Sequence, residues 1–146
     1  MNDELKDIVY SDLFRYTGNN RRFKRIYTTY LQERATSPEF SYISVFRRTQ
    51  YYYRQIPKYD GFLKYFTIAK FRVNSFRLDR LSRKYGFQIP YDTQIGKGFY
   101  LAHFGRVIIH PKAVLGHNVN VSTGVVIGTQ FRGKRKGAPD IGNYVW

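Results

Sequence analysis

The stretch I-P-Y-D-T-Q, I-G-K-G-F-Y, L-A-H-F-G-R, V-I-I-H-P-K, A-V-L-G-H-N, V-N-V-S-T-G, V-V-I-G-T-Q, residues 89–130, divides into sixes without remainder. After the interruption F-R-G-K-R-K-G-A-P-D, 131–140, the beat resumes as I-G-N-Y-V-W. Ile89, Ile95, Leu101, Val107, Ala113, Val119, Val125 and Ile141 all stand at the first place of a hexad. A small aliphatic residue every six positions, with turn-formers between, suits a parallel β-helix of triangular section. Three short strands then make one coil, each inward aliphatic stacks on the residue 18 later, and coils repeat at the ~4.8 Å strand spacing. An antiparallel β domain would instead alternate with period two and turn at 8- to 12-residue intervals.

Upstream of this tail the grammar is different. Residues 1–87 hold 18 of the basic and 8 of the acidic side chains, and 20 of the 27 aromatics. Their apolar spacing is helical. Asn2 or Asp3 can cap a first helix through Leu5, Ile8, Val9, Leu13 and Tyr16, with Gly18 as its stop. Phe23, Ile26, Tyr27, Tyr30 and Leu31 mark a second, and Ser37 before Pro38 is a start signal for a third. A fourth is expected from Gly61 to Tyr85, with Phe62, Phe66, Ala69, Val73, Phe76 and Leu81 as its apolar stripe and Gly86 as its C-cap. The expected class is α+β: a helical region over 1–87, then β-helix coils over 88–146 with an inserted loop at 131–140. The coils number two and a fraction, and the sequence stops on a hexad boundary at Trp146, so the β-helix is expected to be incomplete at its C-terminus, as in a truncated or interrupted reading frame.

Composition narrows the chemistry. With 25 Lys and Arg against 10 Asp and Glu the net charge is +15, which calls for an anionic partner or surface. The absence of cysteine removes disulfides, thiolate metal sites and a Cys acyl-enzyme, and no metal is expected. The acidic start M-N-D-E-L-K-D is no secretory signal, and the longest apolar stretch, Phe62 to Phe71, is broken by Lys64 and Lys70. A cytoplasmic protein is expected, with peripheral contact at the inner face of the membrane as an extension.

The tail resembles the hexapeptide-repeat acyltransferases, and within them the serine acetyltransferase group, most of all the branch of polysaccharide gene clusters that acetylates sugars. The resemblance rests on I-G-K-G-F-Y-L-A-H-F-G at 95–105, A-V-L-G-H-N-V at 113–119, V-V-I-G-T at 125–129, and the interruption ending in Ala138-Pro139-Asp140-Ile141. It implies a left-handed β-helix, acetyl-CoA as donor, a homotrimer, and active sites in grooves between subunits. His103 occupies the place of the group's catalytic histidine. The chemistry needs such a group, because an alcohol attacks a thioester at neutral pH only if a base takes its proton as the bond forms. With no cysteine and no G-x-S-x-G element, direct transfer is the economical mechanism. His110 and His117 lie in later turns with no matching role and read as structural.

The chain departs from the group twice. The aspartate that orients the group's histidine is here Gln88, in Gln88-Ile89-Pro90-Tyr91, so Gln88 becomes the expected orienter; its oxygen can accept from imidazole but carries no charge. Asp92 is the nearest acid. The group's R-H-P, which helps recognise serine, is here Gly137-Ala138-Pro139, which favours a bulkier hydroxyl such as a sugar's over L-serine. Arg132, Lys134, Arg135 and Lys136 lie in the same loop and are the expected contacts to CoA phosphates, or else ordinary solubilising charge. A reading from another class makes the protein a non-catalytic module whose rings and charges, as in Tyr51-Tyr52-Tyr53-Arg54 and Phe71-Arg72-Val73, meet an anionic bilayer or stack on single strands. The plainer account is that these rings form the helical core, and nucleic acid is the less favoured partner.

Overall fold

A computed structural model describes residues 2–18 and 26–146. Four helices precede eight short strands: α1 Asp3–Thr17, α2 Ile26–Thr36, α3 Pro38–Gln55, a 3-10 turn Ile56–Lys58, α4 Gly61–Tyr85, then β1 Phe87–Gln88, β2 Gln94–Ile95, β3 Tyr100–Leu101, β4 Val107–Ile109, β5 Val114–Leu115, β6 Asn120–Val121, β7 Val126–Ile127 and β8 Asp140–Ile141. All strand pairs are parallel and form three sheets, β1-β4-β7, β2-β5-β8 and β3-β6. Following the chain from sheet to sheet traces the parallel β-helix expected from the hexads, left-handed as the resemblance implied.

The helix ends follow the local chemistry. Asn2 accepts the Glu4 amide in its side chain, and Gly18 closes α1 at φ 66°. Ser37 accepts the Phe40 amide at 3.1 Å with Pro38 in the first turn of α3, and Gly86 closes α4 in the left-handed region. Leu5, Val9 and Leu13 of α1 pack with Tyr30 and Phe40 into one apolar cluster. Phe23 lies outside the described residues, and in α2 only Tyr30 is buried, Tyr27 and Leu31 being exposed.

α3 is the central element. Tyr42, Ile43, Val45 and Phe46 are buried in a second cluster together with Phe87, Ile89, Phe99 and Leu101 of the first coil, so helices and β-helix share one core. A polar staple joins them. All five guanidinium donors of buried Arg47 are used: Nε and one Nη2 hydrogen on Asp12 of α1, Nη1 on Gln50 Oε1 and the Ile95 carbonyl at 2.7 Å, and Nη2 also on the Gly96 carbonyl at 2.6 Å. Asp12 accepts in addition the Phe99 amide at 2.8 Å, and Gln50 donates to the Thr93 carbonyl at 2.7 Å.

Two expectations need correction. The stripe of α4 does not face the core: Phe62, Phe66, Val73 and Phe76 are exposed, and Thr67, Asn74 and Leu78 are buried instead. Thr67 and Asn74 can turn inward because each hydrogen-bonds a carbonyl of its own helix, at Leu63 and Lys70. Of the expected stripe, Leu81 alone packs against the core.

The second correction is to the stacking interval. It is 18 between the second and third coils, with Ile109 over Ile127, but 20 between the first and second: Phe87 pairs with Val107, Ile95 with Leu115 and Leu101 with Val121. In the first coil the fifth and first places of successive hexads point inward, as with Thr93 and Ile95 or Phe99 and Leu101, and in the second coil the first and third, as with Ala113 and Leu115 or Val119 and Val121. The aliphatic count therefore survives a two-residue shift of phase, and the hexads conceal it. The shift lies between Leu101 and Val107, where five residues form the turn; three suffice between Leu115 and Val119, or Val121 and Val125. Val114 pairs with Asp140, 26 residues on, which locates an eight-residue excess in the interruption.

Candidate active site

The enlarged turn is Ala102-His103-Phe104-Gly105-Arg106, at the corner between the third and first sheets. Its backbone is held from three directions. Ala102 N–H donates to the Val121 carbonyl and Gly105 N–H to the Tyr85 carbonyl, both at 3.0 Å, while the Arg106 carbonyl accepts the Gly124 amide at 2.6 Å. Gly105, at φ 139°, lies against Thr123 of the next coil, whose Oγ1 would be 2.2 Å from any Cβ built there. The third hold comes from the helices: Glu39 in the first turn of α3 accepts Phe104 N–H at 2.8 Å with one carboxylate oxygen and the Ser37 hydroxyl with the other. The Phe104 ring lies 6.3 Å from that of Tyr85.

His103 itself is exposed, and its side chain makes no hydrogen bond, ion pair or ring contact among the described residues. A fixed backbone thus presents an imidazole with both nitrogens unengaged. The other two histidines differ. His110 Nδ1 accepts the Lys112 amide and His117 Nδ1 the Lys97 amide, each at 3.2 Å, which fits the structural role expected of them. Sequence reasoning missed Glu39. An acid in the first turn of a helix reads as a complement to the helix dipole, and nothing local announces a bond to a backbone 65 residues away.

Gln88 is exposed on β1 and no hydrogen bond joins it to His103. It lines a groove of about 860 Å³ between α4 and the first sheet, shared with Ser82, Arg83, Pro90, Tyr91 and His110 but not with His103. Asp92 lies at another corner, between β1 and β2, beside Arg54.

Arg132, Lys134, Arg135 and Lys136 occupy a hairpin closed by paired backbone bonds between Gln130 and Gly137, both 2.9 Å. All four are exposed, and none has an anionic partner among the described residues. Arg135 and Lys136 line a cleft of about 530 Å³ with Gly128, Thr129 and Pro139. The hairpin leaves the β-helix between β7 and β8, at the corner between the first and second sheets, whereas His103 projects from the corner between the third and first. One copy of the chain does not bring His103 and the basic hairpin to the same corner.

No protein-family model matches the chain, and no curated protein sequence is significantly similar to it. Solved structures are similar. A soybean serine acetyltransferase complexed with serine superposes with a TM-score of 0.64 at 18% identity, over 97% of this chain and 51% of that one. A serine acetyltransferase in complex with CoA gives 0.62 at 18%, over 96% and 50%. The Neisseria gonorrhoeae serine acetyltransferase gives 0.62 at 20%, over 96% and 49%. The chain has the fold of serine acetyltransferases and spans about half the length of the structures it matches.

Proposed function

We propose that the chain acts as an O-acetyltransferase, moving the acetyl group of acetyl-CoA to a hydroxyl, with His103 as general base. The observation that carries this reading is the two-residue enlargement of a single corner, which costs the β-helix its regular repeat and holds out an unengaged imidazole. In the reaction His103 takes the proton of the attacking hydroxyl and returns it to the sulfur as the thioester C–S bond breaks, leaving an O-acetyl ester and free CoA. Similarity of fold to a structure complexed with CoA supports the donor, and the four unpaired cations of the 131–140 loop suit its phosphates. Gln88 is proposed as orienter only if its side chain leaves the α4 groove when substrate binds; Glu39 already fixes the backbone next to His103.

A sugar hydroxyl is the proposed acceptor. Gly137 is engaged in the hairpin bridge and Ala138 packs on the core, so neither supplies the polar side chain that would recognise an amino acid. L-Serine is the second reading, favoured by the similar structures, one of them complexed with serine. Because His103 and the basic hairpin leave different corners, the reading implies a site built between copies, hence a homotrimer, and a cytoplasmic setting where acetyl-CoA is available. The test is release of free CoA by the 146-residue protein supplied with nucleotide-linked or lipid-linked sugars or with L-serine. Turnover with sugars that His103→Ala removes supports the reading; turnover with serine alone replaces the acceptor; turnover indifferent to His103→Ala refutes the base.

A further inference from the structure

At 100° per residue, Phe62, Tyr65, Phe66, Val73 and Phe76 fall within an arc of roughly 100° on α4, opposite the buried Thr67, Asn74 and Leu78. Their exposures run from 51% at Phe66 to 81% at Phe62, so the most apolar face of the helix is bare. The stripe is ~21 Å long. Arg72 flanks it on one side, Lys70 and Arg77 on the other, and beyond Phe76 the same face continues as Arg80, Arg83 and Lys84. The helix carries seven Lys and Arg against one acid, Asp79.

We propose that this face of α4 is a docking surface for an anionic lipid bilayer, lying in the plane of the interface with its rings among the acyl chains and its cations at the headgroups. Charge selects this occupant over the others. A second copy would bring a helix with the same cationic excess against the first, and the stripe has no acidic rim to receive it. For a single-stranded nucleic acid the ring faces must be open to bases. Here the Lys70 ammonium lies 4.1 Å from the centre of the Phe66 ring and the Arg80 guanidinium 5.8 Å from that of Phe76, so these faces are taken by cations. No helix among the described residues is long and apolar enough to cross a membrane, so the contact lies on the surface. The C-terminal end of α4 meets the His103 turn through the Tyr85 carbonyl and the Gly105 amide.

The test is flotation of the full chain with phosphatidylcholine vesicles, with and without about 30% phosphatidylglycerol, in roughly 0.05 and 0.5 M salt. Expected is binding only to the anionic vesicles, weakened by salt. Phe62→Ser, Phe66→Ser and Phe76→Ser together should lower it about tenfold or more with the circular dichroism unchanged, since all three side chains are exposed. A Tyr65→Trp probe in a Trp146→Phe background should shift to the blue and be quenched by brominated acyl chains. The inference falls if neutral and anionic vesicles bind alike, if the triple variant binds unchanged, if its sedimentation shows a lost oligomer instead, or if an oligothymidylate binds in place of the vesicles and is lost with the same rings.

Discussion

Arg47→Met removes five donors from the junction of α1, α3 and the first coil. Asp12, fully buried, then keeps only the backbone amides of Phe99 and Gly98, and the carbonyls of Ile95 and Gly96 lose their charged donor. Breaking a buried ion pair from one side costs ~3 to 5 kcal/mol, and two orphaned carbonyls add ~1 kcal/mol each. The sum, about 5 to 7 kcal/mol, is half or more of the stability usual for a domain. Arg47→Lys keeps the charge but loses the planar fork, and should cost about 2 to 3 kcal/mol. The loss should depend on pH. Burial pushes the Asp12 carboxyl above its ordinary value while Arg47 and the Phe99 amide pull it back. Without Arg47 it rises further. A raised folded-state value favours folding below the unfolded value and loses that advantage as pH climbs through the folded one. The deficit of Arg47→Met against wild type should therefore widen from pH 5 to pH 8, by at most ~1.4 kcal/mol per pH unit. Urea titrations at both pH values measure it, and Asp12→Leu combined with Arg47→Met should recover much of the loss. A deficit below ~2 kcal/mol, or one equal at both pH values, would refute the staple as the joint between helices and β-helix.

Three further outcomes follow from other positions. Thr93 is fully buried at an inward place with its hydroxyl unpartnered, so Thr93→Val should raise stability by ~1 kcal/mol in thermal or urea melts. Burial holds the Tyr16 and Tyr42 phenols well above their ordinary value, and each donates to a carbonyl, of Leu101 and Ile89. Both should stay protonated while the unfolded chain ionises, so stability should fall above pH ~10 by up to ~1.4 kcal/mol per pH unit for each, a slope that Tyr16→Phe with Tyr42→Phe flattens. Glu39→Ala should lower stability by only ~1 kcal/mol yet reduce kcat for acetyl transfer more than it changes KM, while Glu39→Gln, which keeps an acceptor oxygen for the Phe104 amide, retains most of the rate; equal kcat in both variants would remove Glu39 from the positioning of His103.

The hexads disclosed the β-helix because one aliphatic in six is a demand of the coil itself. Ser37-Pro38 and Gly86 disclosed helix ends because the caps are local bonds. What stayed hidden was relational. The 18-residue interval survived a two-residue slip because the aliphatics at both inward places of a strand are interchangeable in a count. Periodicity showed that α4 has an apolar face, but facing inward is decided by neighbours, and Thr67 and Asn74 satisfy themselves on their own helix. Arg47 stands in F-R-R-T-Q and looks like surface charge; only the fold reveals five acceptors around it. The resemblance singled out His103. Glu39, which steadies its turn, was not legible, since the bond joins a side chain to a backbone distant in sequence.

The enlarged corner separates what the molecule needs to stand from what the proposed reaction would use. Excising two residues from Ala102–Arg106 would return the first coil to the length of the second, with every inward column of aliphatics still in register. Such a deletion gives up bonds of the turn itself, such as those to Glu39 and Tyr85, while the ladder bonds above and below join strands that do not move. A solenoid of this kind can lose a protruding side chain in one short step and keep its shape. By the same arithmetic a two-residue insertion at a plain corner, such as Ser122-Thr123-Gly124, is the shortest graft by which an inert coil could be given a protruding side chain to work with.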